Sequence, residues 1–403
     1  MGQNTFMSIN KIKLNNVACI ANFQECSVSI DGVKIEKIGF SKGSRSGYTL
    51  TPGLIDVHTH GIERFSYENP EELIAGSRVL GKYGVTTFLP TVVPNPTNKN
   101  LLNDLSKLAS AIEKIGTANI PGFHLEGPFV GIGGAACELI DGDVEFAKDM
   151  VSACKDKVSV VSIAPEVKNI IPVIEWLVDN SIVPFITHTK ADVDQTVKAI
   201  EAGARHATHF YDVFYPPEIN DGGVRPVGCV EAILADSRCS VDFICDGVHV
   251  HPMAIKAALA AKGWENTILA TDSNIGSGLP EGIYDSPWGY KIKVAPGSGA
   301  RIEDKSQPKH GRLAGSALTM DEGMNNLLSW LDLPEQHVWA MGTSNPARLL
   351  NLKNKGRIEE GCDADLVLWK KENDKYKVVC TFVMGKCVYR DENEDLNGVI
   401  GNG

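Results

Sequence analysis

Residues 52–61 read PGLIDVHTHG, a short apolar run that ends in two histidines one residue apart. Seven further apolar runs follow along the chain, and several of them end in, or directly before, a histidine or a carboxylate. Short apolar runs bounded by turn residues are typical of buried strands. The eight predicted strands are 53–60, 85–93, 122–126, 158–164, 183–188, 206–209, 241–245 and 267–271.

Amphipathic helical patterns lie between most of these strands, and Gly84, Gly203 and Gly263 each follow such a pattern. Alternating strands and helices predict a parallel sheet, and eight such units predict a (β/α)8 barrel of the TIM type. A doubly wound open sheet is the structural alternative. The helices between strands are predicted at 70–83, 100–115, 170–180, 192–202 and 253–262, and two more at 318–331 and 336–350.

The two ends of the chain share a different, β-rich pattern. Near the amino terminus, Asp31-Gly32 separates two apolar runs in the manner of a hairpin turn. Near the carboxyl terminus, Gly385 separates two further strand-like runs in the same way. The sequence therefore predicts one small β-sandwich-like domain built from both termini.

These patterns also set the expected boundaries. The small domain is expected to comprise residues 1–50 and 353–392, and the barrel to span 51–352. Residues 282–309, after the eighth predicted strand, are rich in glycine and proline, which indicates loops and turns. The polar end of the chain, 393–403, is expected to be a frayed tail.

Composition limits the possible partners. The 403 residues include 39 basic and 50 acidic side chains, a formal net charge of −11, so nothing would attract nucleic acid or an anionic membrane over long range. Ten scattered cysteines without a C-x-x-C pair are typical of free thiols in a reducing compartment. No apolar run reaches the ~18 residues of a spanning helix, and the first fifteen residues lack the apolar core of a secretion signal. We expect a cytoplasmic protein whose partner is a small-molecule substrate.

Six ionisable residues lie at the ends of five predicted strands. In a (β/α)8 barrel the carboxyl ends of the strands meet at one mouth, where catalytic groups are found. A single strand-end histidine would more simply be a hydrogen-bonded structural residue. Four histidines and two carboxylates at one mouth are costly to bury without a common partner. The six are His58, His60, Glu126, His188, His209 and Asp272.

A divalent cation is the partner that such a group predicts, because neutral imidazoles and carboxylates are its natural ligands. A bound cation lowers the pKa of its water from about 15.7 to about 7 and can polarise a carbonyl group. Amide hydrolysis also needs a residue that takes the proton of water and returns it to the leaving nitrogen. Asp272 is the candidate, since a carboxylate beside a cation stays ionised until a proton reaches it. The sequence thus predicts a metal-dependent hydrolase.

The strand-end residues lie within motifs that resemble those of the amidohydrolase superfamily. PGLIDVHTHG is similar to the opening motif of that superfamily, and HLEGPF at 124–129 resembles a metal-binding motif of the N-acetylglucosamine-6-phosphate deacetylase family. The resemblance extends from about residue 50 to about residue 370. The motifs that follow in the order of that family are ATHF at 207–210, DGVHV at 246–250, LATD at 269–272, LAGSALTM at 313–320, NPAR at 345–348 and GCDADLV at 361–367.

The resemblance implies roles for the strand-end residues, with Asp272 as the general acid and base. Zinc is the favoured ion, iron and manganese also suit histidine and carboxylate ligands, and the number of ions can be one or two. The implied ligands are Glu126, His188 and His209 for the main ion, with His58 and His60 for a second.

On the substrate side, the resemblance implies that His249 reaches the sugar or its phosphate. An arginine that follows the ATHF-type motif in this family reaches a phosphate, sometimes from a neighbouring subunit. Arg225 is the nearest match in this sequence, so the resemblance implies a homodimer.

The sequence departs from the family in the same region. The loop at 131–137, which includes Ala136 as an expected substrate contact, lacks the histidine that the family carries there. Asp212 lies where the family has an Asn-Ala pair that binds phosphate through its backbone, and a carboxylate at that place would repel a phosphate. Residues 215–221 look inserted. These differences affect the substrate side and leave the metal side intact.

The expected reaction is hydrolysis of the N-acetyl amide of an amino sugar, with release of acetate. The favoured substrate is N-acetylglucosamine 6-phosphate or a related N-acetylhexosamine, with or without phosphate. One alternative is another amidohydrolase reaction, carried out by a deaminase, a cyclic amidase or an N-acyl amino acid deacylase. A remote alternative is a non-catalytic scaffold, which would be expected to have lost some of the six strand-end residues.

Overall fold

The computed structural model describes residues 11–20, 24–40, 46–134, 138–218 and 222–402. Within this part of the chain, eight parallel strands form one sheet in which neighbours in the chain are also neighbours in space. The strands are Leu54–Thr59, Val85–Val92, Phe123–Glu126, Val158–Ile163, Val183–Ile186, His206–Ala207, Ser240–Ile244 and Thr267–Ala270.

The sheet closes into a barrel because its last strand meets its first. Thr59 and Ser273 form a parallel bridge, and the backbone N–H of Asp272 donates to the carbonyl of His58 at 2.8 Å. A doubly wound open sheet would have two free edges at this place. The prediction of a (β/α)8 barrel is therefore confirmed, and its closing seam lies beside two of the strand-end residues.

Helices surround the barrel, and each of the seven predicted helical regions contains at least one. Two more were missed, at Val144–Ala153 and Cys229–Ala235, and the second has only seven residues, which is too short for a clear apolar periodicity. Asp143 begins the first of these by accepting hydrogen bonds from the backbone N–H groups of Glu145 and Phe146. The described α-helices are Pro70–Ser77, Leu101–Ile112, Val144–Ala153, Ile170–Asp179, Val193–Ala202, Cys229–Ala235, Pro252–Lys262, Met320–Trp330, Glu335–Gly342 and Ser344–Leu349.

The segment that follows the eighth strand, residues 282–313, is here called the insert. Its first part is a three-stranded antiparallel sheet of Gly282–Asp285, Lys291–Ala295 and Gly299–Ile302, so the expectation of loops and turns is wrong there. Ile292 and Val294 are buried while Lys291 and Lys293 are exposed, which is the alternation of a strand. Most of the glycines and prolines that suggest loops lie in turns outside the strands, whereas Gly282 and Gly299 each begin a strand.

Strands from both termini form a second eight-stranded sheet, as the sequence predicted. A parallel pair joins strands Ile12–Cys19 and Tyr48–Pro52, and the latter pairs antiparallel with Leu366–Glu372. The amino-terminal and carboxyl-terminal segments thus share one sheet with its own apolar core. Its strands are Ile12–Cys19, Gln24–Asp31, Lys34–Phe40, Tyr48–Pro52, Leu366–Glu372, Lys375–Val383, Lys386–Arg390 and Ile400–Asn402.

The carboxyl-terminal tail corrects the expectation of fraying, because the described residues 393–402 are docked. Strand Ile400–Asn402 pairs antiparallel with Ile12–Cys19. Leu396 and Val399 are buried, and the carbonyl of Val399 accepts a hydrogen bond from Asn15 at 2.8 Å. The mostly polar composition of this segment concealed its two buried apolar side chains and its strand pairing.

Trp369 joins the terminal sheet to the barrel. Its indole N–H donates to Thr51 Oγ1 at 2.7 Å, and its ring lies 4.9 Å from that of Trp339, in a helix of the barrel. A side chain at Gly84 would come within 2.9 Å of the same indole, so this close approach requires a glycine.

Among the described residues, we find no helix that is both long enough and apolar enough to cross a lipid bilayer.

We expect Leu396→Ala to lower the free energy of unfolding by about 2–4 kcal/mol, since it removes a fully buried side chain from the terminal sheet. Denaturant-induced unfolding followed by circular dichroism measures this change. Glu392→Ala, at an exposed position nearby, is the matched control and should unfold like the unmodified protein. Equal stability of the two variants would contradict the docking of the tail.

Candidate active site

The six strand-end residues come together at the carboxyl ends of the barrel strands, and all six are buried. Three of them lie two residues beyond the end of a strand and have a left-handed backbone: His188 (φ 48°), His209 (φ 36°) and Asp272 (φ 46°). Residues other than glycine rarely adopt this conformation, and it is often found at functional sites. At these three places the chain turns sharply and directs a polar side chain towards the mouth.

Glu126 lies at the centre of the group. Its Oε1 atom is 3.2 Å from Nε2 of His188 and 3.2 Å from Nε2 of His209. Its Oε2 atom is 3.2 Å from Nε2 of His60 and 3.7 Å from Nε2 of His58. One carboxylate thus faces all four imidazoles, one pair on each of its oxygens.

Asp272 faces the first strand from the opposite side of the seam. Its Oδ1 atom lies 3.3 Å from Nε2 of His60 and 3.6 Å from Nε2 of His58, and these two nitrogens are 3.3 Å apart. The Oδ1 atom of Asp272 and the Nδ1 atom of His60 are buried without a hydrogen-bond partner among the described residues. Buried polar atoms of this kind normally have a partner, which points to an additional group at this place.

The carboxylates and the imidazoles of the site stabilise each other's charged forms. Burial lowers the pKa of His60, but the nearby carboxylates of Asp272 and Glu126 raise it to about 10 overall. Burial also lowers the pKa of His209, and Glu126 raises it to about 10 overall. Burial raises the pKa of Glu126 and of Asp272, yet the imidazoles hold both below their usual range. The site therefore favours ionised carboxylates together with compensating positive charge.

A divalent cation fits this donor set, because imidazole nitrogens and carboxylate oxygens point at one another across short distances. Two compact groups have ligand atoms that all lie within 4.8 Å: His58 with His60 and Asp272, and His58 with Glu126 and His209. His188 lies outside both groups, although it contacts Glu126. Because the two groups share His58, they are compatible with either one bound ion or two.

Hydrogen bonds outside the group fix the orientation of the imidazole rings. His58 Nδ1 lies 2.9 Å from Thr208 Oγ1, and His188 Nδ1 lies 2.9 Å from the carbonyl of Ile132. His209 Nδ1 lies 3.3 Å from the carbonyl of Asp212. Such partners hold a ligand ring in one direction, so the Nε2 atoms of these histidines face the centre.

Two glycines allow the chain to pass close to the site. A side chain at Gly134 would come within 2.3 Å of Cε1 of His188. Gly315, with φ +56°, would place a side chain 2.8 Å from the carbonyl of Asp272. Both positions therefore need glycine for a close backbone approach. Gly315 belongs to the LAGSALTM motif, whereas Gly134 had no sequence signal beyond the richness of its loop in glycine.

A cavity of about 530 Å³ opens from the six residues to the surface, a size suited to a small substrate. Two of the four predicted substrate contacts, His249 and Asp212, line it. Arg225 does not line it; its side chain is 78% exposed and pairs with Glu231 at 2.7 Å. The fourth predicted contact, Ala136, lies outside the described residues.

Sequence reasoning missed the contribution of the insert. Trp288 packs its ring 5.7 Å from the ring of His60, and its indole N–H donates to Glu68 at 3.2 Å. Arg301, Lys309 and Arg312 also line the cavity. No motif marks these residues, and the segment had been interpreted as loops, so only the three-dimensional structure reveals their position.

Comparison with known proteins agrees with this geometry. Residues 49–388 match the amidohydrolase family. The chain is 31% identical over 342 residues to an N-acetylglucosamine-6-phosphate deacetylase of Bacillus subtilis, covering 82% of this chain and 83% of that relative. A relative of the same description from Lysinibacillus sphaericus is 30% identical over 335 residues, which is 80% of this chain and 82% of that one.

Solved structures give the same picture. The fold matches that of a mutant N-acetyl-D-glucosamine-6-phosphate deacetylase from Mycobacterium smegmatis, solved in complex with N-acetyl-D-glucosamine-6-phosphate. The TM-score is 0.79 at 26% identity, over 90% of this chain and 94% of that one. The protein is thus a hydrolase of carbon–nitrogen bonds, and it belongs to the amidohydrolase family, within the group of the N-acetylglucosamine-6-phosphate deacetylases.

Proposed function

We propose that the protein removes the acetyl group from an N-acetylated amino sugar, with N-acetylglucosamine 6-phosphate or a related N-acetylhexosamine phosphate as its substrate. The observation that carries this proposal is the ring of four histidines and two carboxylates around one small cavity. The relatives described above are deacetylases of this kind. The products would be acetate and the free amino sugar.

When bound, a divalent cation supplies an activated water and polarises the acyl carbonyl. Asp272 is placed to take up a proton from the water whose oxygen would bond to the acyl carbon, and to deliver that proton to the amide nitrogen as the carbon–nitrogen bond breaks. Its position supports this role, because it lies at the seam with Oδ1 directed at His58 and His60. The cavity contacts Asp272 directly, so the proton has a short path to a bound substrate.

His249 is proposed to bind the sugar. Its Nδ1 atom lies 2.7 Å from Asp246 Oδ2, and Asp246 also accepts hydrogen bonds from the backbone N–H groups of Val248 and His249. Burial lowers the pKa of His249, but Asp246 raises it above its usual range overall. A well-oriented imidazole at the cavity wall can donate to a hydroxyl or an anionic group of the substrate.

Three finer points belong to the same proposal. Zinc is the favoured ion, because it suits a mixed set of imidazoles and carboxylates. A homodimer stays the proposed assembly, as the family resemblance implies for a chain with an arginine at the position of Arg225, which lies away from the cavity of its own chain. The cytoplasm stays the proposed location, on the cysteine pattern of the sequence.

The substrate class is tested by acetate release from a panel of N-acetylglucosamine, N-acetylgalactosamine and N-acetylmannosamine, each with and without a 6-phosphate. We expect acetate from at least one hexosamine in a metal-loaded preparation. N-acyl amino acids, cyclic amides and aminated bases serve as comparison substrates. Ammonia release from a base, or ring opening, in the absence of acetate release from any sugar would contradict the proposal.

Asp272→Asn is expected to lower kcat by roughly 10²–10⁴-fold, because the amide cannot accept the proton, while the metal content stays unchanged. Steady-state kinetics and elemental analysis of the same preparation measure the two quantities. Asp285→Asn, at an exposed carboxylate of the insert, is the matched control and should keep full activity. Activity of Asp272→Asn close to that of the unmodified protein would refute the role.

Removal of the metal by a chelator is expected to abolish turnover, and addition of zinc, iron or manganese is expected to restore it.

Glu126→Gln should lower the bound metal per chain at least tenfold, because it removes the carboxylate that faces all four imidazoles. Elemental analysis after dialysis gives the metal content independently of activity. Full occupancy in Glu126→Gln, or full activity without metal, would exclude this centre as the catalytic one.

A further inference from the structure

We propose that a phosphate on the substrate is bound by Arg312 and Arg301 of the insert, within the same chain that supplies the metal centre. This inference rests on the proposed function, since it names the group that recognises the far end of the same substrate. It differs from the expectation for Arg225, which would act from a neighbouring subunit. Four features of the structure lead to it.

The first feature is the distribution of charge in the cavity. Glu126 and Asp272 lie at its deep end, where the imidazoles and a cation balance them. Arg301, Lys309 and Arg312 line the same cavity but come from the insert. A ligand with a neutral acyl amide at one end and an anion at the other complements such a cavity.

The second feature is that both arginines lack a carboxylate partner among the described residues. Arg301 donates through Nε to the carbonyl of Ser298 and through Nη1 to the carbonyl of Gly311, both at 2.9 Å. These two bonds orient its guanidinium group but leave its charge uncompensated. The side chain of Arg312 makes no hydrogen bond and no ion pair with any described residue. An arginine in this state can offer a phosphate two parallel donors.

The third feature is the connection between these arginines and the reacting end of the site. Arg301 forms a bridge with Leu313, and the carbonyl of Arg312 accepts a backbone hydrogen bond from Ile302 at 2.9 Å. The chain then runs through the LAGSALTM motif to Ser316, whose N–H donates to the carbonyl of Asp272 at 2.6 Å. One continuous hydrogen-bonded segment therefore sets the spacing between the two arginines and Asp272.

The fourth feature concerns the other side of the cavity, where a phosphate would be disfavoured. Asp212 lines the cavity and adds negative charge there. Arg225 lies outside the cavity and is already paired with Glu231. A phosphate beside Asp212 would meet repulsion, whereas beside Arg301 and Arg312 it would meet two cations. The insert is therefore the favoured place for the anion.

Calorimetric binding of glucosamine 6-phosphate to the zinc-loaded protein tests this inference independently of turnover. We expect Arg312→Gln to raise the Kd at least tenfold, and Arg312→Lys, which keeps the charge but loses the pair of parallel donors, to raise it by a smaller factor. Arg301→Gln should also weaken binding. Lys305→Gln, at an exposed lysine of the insert that does not line the cavity, is the matched control and should bind normally.

Kinetics give the second readout. In Arg312→Gln, KM for the phosphorylated substrate should rise at least tenfold with kcat within twofold, while the unphosphorylated sugar should be turned over as before. An equal loss for both sugars, or normal binding in Arg312→Gln and Arg301→Gln, would overturn the inference. So would weakened binding in Arg225→Gln alone. Failure of the proposed function is a different result: no acetate from any N-acetylhexosamine, whatever the binding of the phosphate.

Discussion

Two buried carboxylates, Glu126 and Asp272, determine the arrangement of everything near the barrel mouth. A buried carboxylate is costly unless positive charge and hydrogen bonds compensate it. The surrounding imidazoles supply part of this compensation, and a divalent cation would supply the rest. The same requirement explains the rigid support of the rings by Thr208 and by the carbonyl of Ile132. Rings free to rotate would leave the carboxylates without partners.

Strained backbone conformations direct three of the site residues towards the barrel mouth. His188, His209 and Asp272 adopt left-handed conformations, each of which costs about 1–3 kcal/mol for a residue other than glycine. The barrel withstands this cost because its strands are buried and hydrogen bonded on both sides. Asp272 also stabilises the barrel directly, since its backbone N–H forms one of the hydrogen bonds that close the sheet. The residue proposed to move the proton is thus also part of the scaffold.

Features that depend on local sequence patterns could be predicted, whereas features that depend on tertiary contacts could not. Apolar runs with polar ends indicated the barrel and all six residues of the site, because strand direction alone brings their ends together. The insert could not be predicted, since its strands are only four or five residues long and the turns beside them carry glycine and proline residues that indicate loops. Leu396 and Val399 were too few to reveal the docking of the tail. Arg225 lies away from the cavity and pairs with Glu231, and no motif indicates either fact.

The closing seam of the barrel also bears on the biosynthesis of the protein. His58 belongs to the first barrel strand and Asp272 lies two residues after the eighth, so the two sides of the candidate metal site are made at different times during translation. A nascent chain that ends before the eighth strand has an open sheet and lacks Asp272, although Glu126, His188 and His209 are already present. The hydrogen bond from Asp272 to His58 that closes the barrel can therefore form only after the eighth strand has emerged from the ribosome.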